Sequence, residues 1–366
     1  MTVKLQKACD FISRTIRQDI QETTSYPISD ASGLIKLDAM ESPYELPNEL
    51  REKISKRISL LSFNRYPSTN KKELIRTIKH AFNIPSEADV LFGNGSDELI
   101  QLIIQSCCAP GDIVLSPSPS FVYFEMASKF NHAKFVDVPL NNNFQLNMIE
   151  MLSAIEKHKP KVIFLAMPNN PTGSLWNNNE VQKIIDNAPG LVVIDEAYQA
   201  FTDYTWMQMI TKLPNILVLR TVSKIGLAGL RFGYLSGNRD WISQINKVRP
   251  PYNINILTEN AILEIISNKN ILDEQTKQIL KNKELLKSEL EKFSDITVFP
   301  SHANFILIKI CNKFDATDLY EKLKKGGVLI KNLSNSHYLL KNCLRVSIGT
   351  FEENLILLNI LKNLIN

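Results

Sequence analysis

The feature that most constrains this chain is a series of short, continuous apolar segments separated by helical stretches. The segments are Val90–Phe92, Ile113–Leu115, Lys134–Val138, Val162–Ala166, Leu191–Ile194 and Ile216–Leu219. They run apolar rather than alternating, as strands do when a sheet is covered on both faces. Helical patterns lie between most of them, for example Lys71–Phe82 and Asp97–Cys107. This is the signature of a mostly parallel sheet in an α/β layer architecture. A chain of 366 residues is too long for one small core and suggests about two domains. After about residue 258 the texture changes. A Lys/Glu-rich helical stretch runs to about Phe293. Strands at 296–299, 304–310, 328–330 and 344–348 follow, with helices at 316–325 and 352–364, which reads as a smaller α+β domain. A helix-compatible stretch from Leu5 to Ile20 precedes everything. The expected division is therefore an arm at 1–35, a large domain at 36–258 and a small domain at 259–366.

Composition narrows the function. The 42 basic residues exceed the 38 acidic ones by four, but they are scattered and leave no nucleic-acid footprint. No stretch of about 18 apolar residues is present, so no membrane-spanning helix is expected. The N-terminus lacks the apolar core of a signal peptide. Five cysteines without a CxxC read as thiols of a reducing compartment, and the expectation is a cytoplasmic protein. The histidines (80, 132, 158, 302 and 337) have no ligand spacing and read as surface or packing groups, so no metal site is expected.

Chemistry enters at the strand ends. Gly93-Asn94-Gly95-Ser96-Asp97-Glu98 follows a strand and opens a helix. Its glycines allow close backbone approach, Ser96 and Asp97 are N-cap types, and the exposed amides of such a turn can hold a phosphate. Alone, the motif fits an ordinary capped turn as well. Pro168-Asn169-Asn170-Pro171-Thr172-Gly173 follows Val162–Ala166. Its prolines stiffen a loop that presents an amide where ligands bind in open α/β sheets. The strand from Leu191 ends in Asp195, a carboxylate that is costly there unless paired. A cationic ring nitrogen is one such partner, and a cap on the next helix is the plainer role. Tyr198 follows three residues later. Finally, Thr221-Val222-Ser223-Lys224-Ile225-Gly226-Leu227-Ala228-Gly229-Leu230-Arg231 sets Lys224 among apolar and small residues. Desolvation there would make its amine a usable nucleophile and proton carrier, whereas a solvated surface lysine would do nothing. Ser223 and Arg231 beside it suit a phosphate.

In this order the motifs form an inventory for pyridoxal 5′-phosphate. GNGSDE, PNNPTG, DEAY and SKIGLAGLR resemble those of fold-type I aminotransferases, most closely the histidinol-phosphate group, over residues 30–360. The resemblance implies a large domain with a mostly parallel seven-stranded sheet between helices and a smaller α+β domain. It implies that Lys224 holds the cofactor covalently, that Asp195 pairs with the ring nitrogen, and that Asn170 and Tyr198 bond the ring oxygen. Ser96, Asp97, Ser223 and Arg231 would hold the phosphate and Phe121 would stack on the ring. Tyr66 would reach the phosphate of a neighbouring subunit, which implies a homodimer with shared sites. Arg345 would grip the substrate anion, with Lys331, Tyr26 and Glu41 also on the substrate side. The implied reaction is ping-pong transfer from histidinol phosphate to 2-oxoglutarate, yielding imidazole-acetol phosphate and glutamate in histidine biosynthesis. An aromatic aminotransferase or a threonine-phosphate decarboxylase of the same fold is the nearest alternative, and a non-catalytic binding module the more distant one. Some positions depart from the family pattern. Met40-Glu41-Ser42-Pro43 stands where Asn-Glu-Asn-Pro is common, Lys331 replaces an arginine, and the Lys224–Arg231 segment is one residue shorter than in some relatives.

Overall fold

The computed structural model of the chain describes residues 10–25, 29–311 and 314–365. A two-residue strand, β1 (Ile35–Lys36), precedes the strands of a seven-stranded sheet: β2 (Asp89–Asn94), β3 (Ile113–Ser118), β4 (Lys134–Pro139), β5 (Val162–Ala166), β6 (Leu191–Asp195), β7 (Ile216–Thr221) and β8 (Phe232–Gly237). Their order across the sheet is β2-β8-β7-β6-β5-β3-β4. The pairs β3–β4, β3–β5, β5–β6 and β6–β7 are parallel. β8 is antiparallel to both β7 and β2, so β2 runs in the common direction. The carboxyl ends of six strands therefore face one side. β3 leads outward to β4 while β5 lies on its other flank, which makes the β3/β5 boundary a switch point and the natural place for a ligand crevice.

Burial explains why these strands read as unbroken apolar runs. Along β5, Ile163 and Leu165 pack into the core on one face while Val162 and Phe164 pack into the core on the other. β6 repeats the pattern with Val192 and Ile194 against Leu191 and Val193. Each such side chain contributes about 1.5–3 kcal/mol relative to exposure.

β8 was not expected from the residues. Its sequence, Phe-Gly-Tyr-Leu-Ser-Gly, is diluted by glycines that packing requires. A Cβ on Gly233 would lie 2.7 Å from the carbonyl carbon of Gly95, at the start of the helix α1 (Gly95–Cys107). That helix begins at Gly95 with Asn94 as its N-cap, so Ser96 and Asp97 lie inside its first turn rather than capping it.

The long helical stretch expected up to Phe293 is two helices, α2 (Ile256–Ser267) and α3 (Asn270–Leu290). Asn268 ends the first, with its side-chain amide returned to the carbonyl of Glu264 at 2.9 Å, the local competition for backbone groups that makes Asn a helix terminator. The break also separates functions: α2 buries Ile262 and Ile266 in the large core, and α3 turns Ile279, Leu286 and Leu290 to the C-terminal one. That second core rests on an antiparallel sheet of β9 (Ile296–Val298), β10 (Phe305–Ile310), β12 (Lys331–Asn332) and β13 (Cys343–Ser347), ordered β12-β13-β10-β9. The strand expected at 328–330 is observed at 328–329, and a second short strand, in another sheet, follows it directly. β11 (Val328–Leu329) pairs in parallel with β1, and β12 pairs with β13. The N-terminal segment thus crosses onto the C-terminal core, where Leu37 and Met40 pack with Phe305, Val346 and Ile348. Of the helix-compatible N-terminal stretch, the described part is helical at 10–15 and again at Gln18–Gln21.

Candidate active site

Lys224 sits in a one-turn helix, Ser223–Ile225, directly after β7. Val222 and Ile225 anchor the turn in the core and Gly226 leaves it with φ +99°, a conformation that favours glycine. The lysine amine donates to the carbonyl of Ala39 at 3.3 Å and lies 5.8 Å from the ring centre of Tyr198. Burial, then the charge of Arg345, pulls its pKa down to about 8. Asp97 and Glu41 act in the opposite sense and Arg231 adds to the repulsion, so charges from four separate segments converge on this amine.

Asp195 ends β6 and is 4 % exposed. Its Oδ1 accepts from the amide of Ala197 at 3.0 Å, and among the described residues it forms no ion pair. Burial pushes its carboxyl up to about 7. The adjacent Glu196 is different. It forms a buried ion pair with Arg220 at 2.7 Å, reinforced by the Thr205 hydroxyl and the Trp206 amide. Arg220 precedes Thr221 on β7, so this pair braces the two strand ends that carry Asp195 and Lys224. The sequence shows Glu196 and Arg220 each following an apolar run, but carries no sign that the two meet.

A second wall comes from the loop after β5. Asn169 is fully buried: its amide nitrogen donates to the Pro119 carbonyl (3.0 Å) and to Thr172 (2.8 Å), and its oxygen accepts from Ser120 (2.8 Å). Asn169, rather than Asn170, fixes this loop to the one bearing Phe121. Asn170 is free to point elsewhere, and its oxygen accepts from Arg345 Nη1 at 2.5 Å. Arg345 also donates to the Asp38 carbonyl at 2.8 Å and lies over Phe305 at 5.4 Å. Tyr198 packs edge-on against the same Phe305 ring. Lys331 stands directly opposite Arg345 in the strand register, and burial followed by that neighbour's charge lowers its pKa.

A third group surrounds the start of α1. Arg231, in the left-handed region at φ +47°, enters from the beginning of the reversed strand β8 and pairs with Asp97 at 2.9 Å. A side chain on Gly95 would collide with the Arg231 guanidinium, 2.6 Å from the Cβ position. Thr221 and Ser223 hydroxyls bond each other at 2.8 Å alongside. The Arg249–Asn253 segment clamps this turn: Asn253 donates to the Phe92 carbonyl and to Glu98, and accepts from Asn94 and Arg249. A guanidinium, hydroxyls and a helix N-terminus form an anion cradle.

Of the remaining candidates, Phe121 packs on Tyr123 and Phe124 beside this cradle. Tyr66 is 80 % exposed and stacks on Tyr252 at 4.6 Å. Glu41 pairs with Lys36 at 2.5 Å. Tyr26 lies outside the described residues.

Residues 32–361 match the family model for class I and II aminotransferases. The chain belongs to that family. It is 50 % identical over 355 residues, 97 % of each chain, to histidinol-phosphate aminotransferase 2 of Bordetella bronchiseptica. Among solved structures it resembles the histidinol-phosphate aminotransferase of Clostridium acetobutylicum, with a TM-score of 0.83, 26 % identity and coverage of 90 % of this chain and 99 % of that one. A further likeness in fold is to the enzyme of that name from Sinorhizobium meliloti in complex with pyridoxal-5′-phosphate, with a TM-score of 0.84 and 20 % identity over 96 % and 98 % of the chains. As a class I and II aminotransferase the chain keeps an acid, an amine and an anion cradle in one crevice. A buried acid without a cation partner is the feature that fits a bound pyridinium, so the residues suit the cofactor of the fold.

Proposed function

We propose that this chain is a pyridoxal-5′-phosphate-dependent aminotransferase that moves an amino group from histidinol phosphate to 2-oxoglutarate, giving imidazole-acetol phosphate and glutamate in histidine biosynthesis. The observation that carries the reading is the pair of displaced groups in one crevice, Asp195 held up at about 7 and Lys224 drawn down to about 8. An amine drawn down toward neutrality suits proton transfer at a carbon centre, and a buried carboxylate beside it suits a cationic ring nitrogen.

Lys224 would hold the cofactor covalently, and Ser96, Asp97, Ser223 and Arg231 would surround its phosphate. Asp195 would face the ring nitrogen, Asn170 and Tyr198 the ring oxygen, and Phe121 the ring face. When bound, the cofactor supplies the electron sink for the bond broken at the substrate's α-carbon. The protein supplies the proton path. With the donor's amine bound beside it, the Lys224 Nζ would take the α-proton and return it as an acid. A buried carboxylate facing the ring nitrogen would keep that nitrogen protonated and so sustain the electron sink.

Arg345 is our candidate for the substrate's anion. Its guanidinium fork can pair bidentately with a phosphate monoester in one half-reaction and a carboxylate in the other, and Lys331 opposite adds a point charge. We further read residues 36–258 as the cofactor-binding domain and 259–366 as the small domain, with β1 lent to the latter. We read the enzyme as a cytoplasmic homodimer in which Tyr66 of one subunit completes the phosphate site of the other. Its exposure, which leaves the ring open to a second subunit, supports this reading.

A panel of amine donors assayed with 2-oxoglutarate tests the substrate. Histidinol phosphate should exceed phenylalanine and tyrosine in kcat/KM. Release of carbon dioxide without consumption of an oxo acid would overturn the transamination.

A further inference from the structure

The connection between β12 and β13 carries a histidine that sequence reading had left to packing. Lys331 and Arg345 hang on the two ends of this connection. Its tip is a short turn, Tyr338–Leu340, capped by His337, whose Nδ1 accepts from the Leu339 amide at 3.2 Å. With Nδ1 used as an acceptor, the neutral ring carries its proton on Nε2. Nε2 lies 3.4 Å from Ser118 Oγ. Ser118 gives its own single proton to Asp137 Oδ2 at 2.8 Å, so its oxygen is left as the acceptor for His337. The polarity of the chain of bonds is therefore determined: His337 donates to Ser118, and Ser118 donates to Asp137. Burial favours the neutral imidazole this requires, against the pull of Asp137 toward the charged form.

Ser118 is the last residue of β3, and the residues after it are held by Asn169 through Pro119 and Ser120. Asn170, next in the chain, accepts from Arg345. The contacts thus close a circuit. It runs from the β12–β13 connection through His337 to Ser118, across the loops after β3 and β5, and back through Arg345 to β13.

We propose that His337 is a positioning residue: it docks the β12–β13 connection on the end of β3 and so sets where Lys331 and Arg345 stand relative to Lys224 and Asp195. The consequence for catalysis rests on the reading that Arg345 holds the substrate's anion. The docking itself does not.

Two isosteric variants separate docking from capping. His337→Asn keeps an acceptor at the Nδ1 position but cannot reach Ser118. His337→Gln reaches toward Ser118 but gives up the cap. In the holoenzyme, His337→Asn and Ser118→Ala should each raise KM for histidinol phosphate and for 2-oxoglutarate about fivefold, the loss expected for one net hydrogen bond, with kcat within about twofold. His337→Gln should lie nearer the wild type. Amide exchange at residues 333–341 and 120–122 should quicken about tenfold in the first two variants. If His337→Asn matches the wild type in KM and exchange while His337→Gln is impaired, the residue is a cap and the proposal is wrong. Faster exchange with unchanged KM would equally overturn the link to the anion site. A wild-type enzyme that does not transaminate these substrates would remove the functional reading, and the exchange data would still decide the docking.

Discussion

At the scale of single residues, the site is built from groups placed where their ordinary ionisation is unfavourable. Burial pushes the Asp195 carboxyl up to about 7, well above the usual carboxylate range. It therefore takes up a proton on folding between about pH 4 and pH 7, and above that the cofactor-free chain carries a buried charge that the nearby Lys224 amine offsets only in part. The sign follows: this group makes the cofactor-free protein less stable as pH rises from about 4 to 7, by a few kcal/mol at about 1.4 kcal/mol per unit. Asp195→Asn should flatten that slope and raise the melting temperature of the cofactor-free protein at pH 8, measured by thermal denaturation across pH, while lowering kcat of the loaded enzyme. Lys224→Ala should cut kcat by at least about 10²- to 10⁴-fold, the share assigned to proton transfer alone, and borohydride should no longer fix cofactor to the chain. Arg345→Ala should raise KM for both anionic substrates roughly 10- to 100-fold, as loss of a charged hydrogen-bonding partner does, and Arg345→Lys should recover only part of it.

At the scale of elements, legibility followed direction. The central strands β5, β6 and β7 were the most visible because both faces of each are buried, so their apolar runs are unbroken, whereas the edge strand β4 is half-exposed and carries Lys134 and Asp137. β8 runs the other way at the crowded edge of the anion cradle, and Gly233 there serves the approach of Gly95 rather than strand propensity. Gly233→Ala should destabilise by about 1–3 kcal/mol through overpacking and weaken cofactor retention, which denaturant titration and dialysis would report. Lys224, Asp195 and Asn170 were legible because each lies in a short motif at a strand end. Asn169, the Glu196–Arg220 brace and His337 were not. Their roles depend on partners far away in sequence, and a single chain gives no sign of which side chains will meet. The helix break at Asn268 and the split of residues 328–332 between two sheets were hidden for a related reason: local pattern carries no information about which core a segment joins.

At the scale of the whole molecule, two cores meet around the crevice, and contacts such as Arg345–Asn170 and His337–Ser118 cross between them. The N-terminal strand β1 already ties the beginning of the chain to the C-terminal core. Exposed Tyr66 is the residue we assign to a neighbouring subunit. Mixing Lys224→Ala subunits with Tyr66→Ala subunits tests that assignment, since a hybrid dimer would hold one site with both residues intact. Activity should rise above the mean of the two parents after exchange of subunits, and no rise would show that each subunit works alone. The account as a whole stands on Lys224 and Arg345 acting on one substrate. Purified wild-type enzyme mixed with histidinol phosphate, with no oxo acid present, should lose its yellow colour in a single turnover and regain it on addition of 2-oxoglutarate. Persistence of the colour with histidinol phosphate, alongside bleaching by phenylalanine or tyrosine, would contradict it.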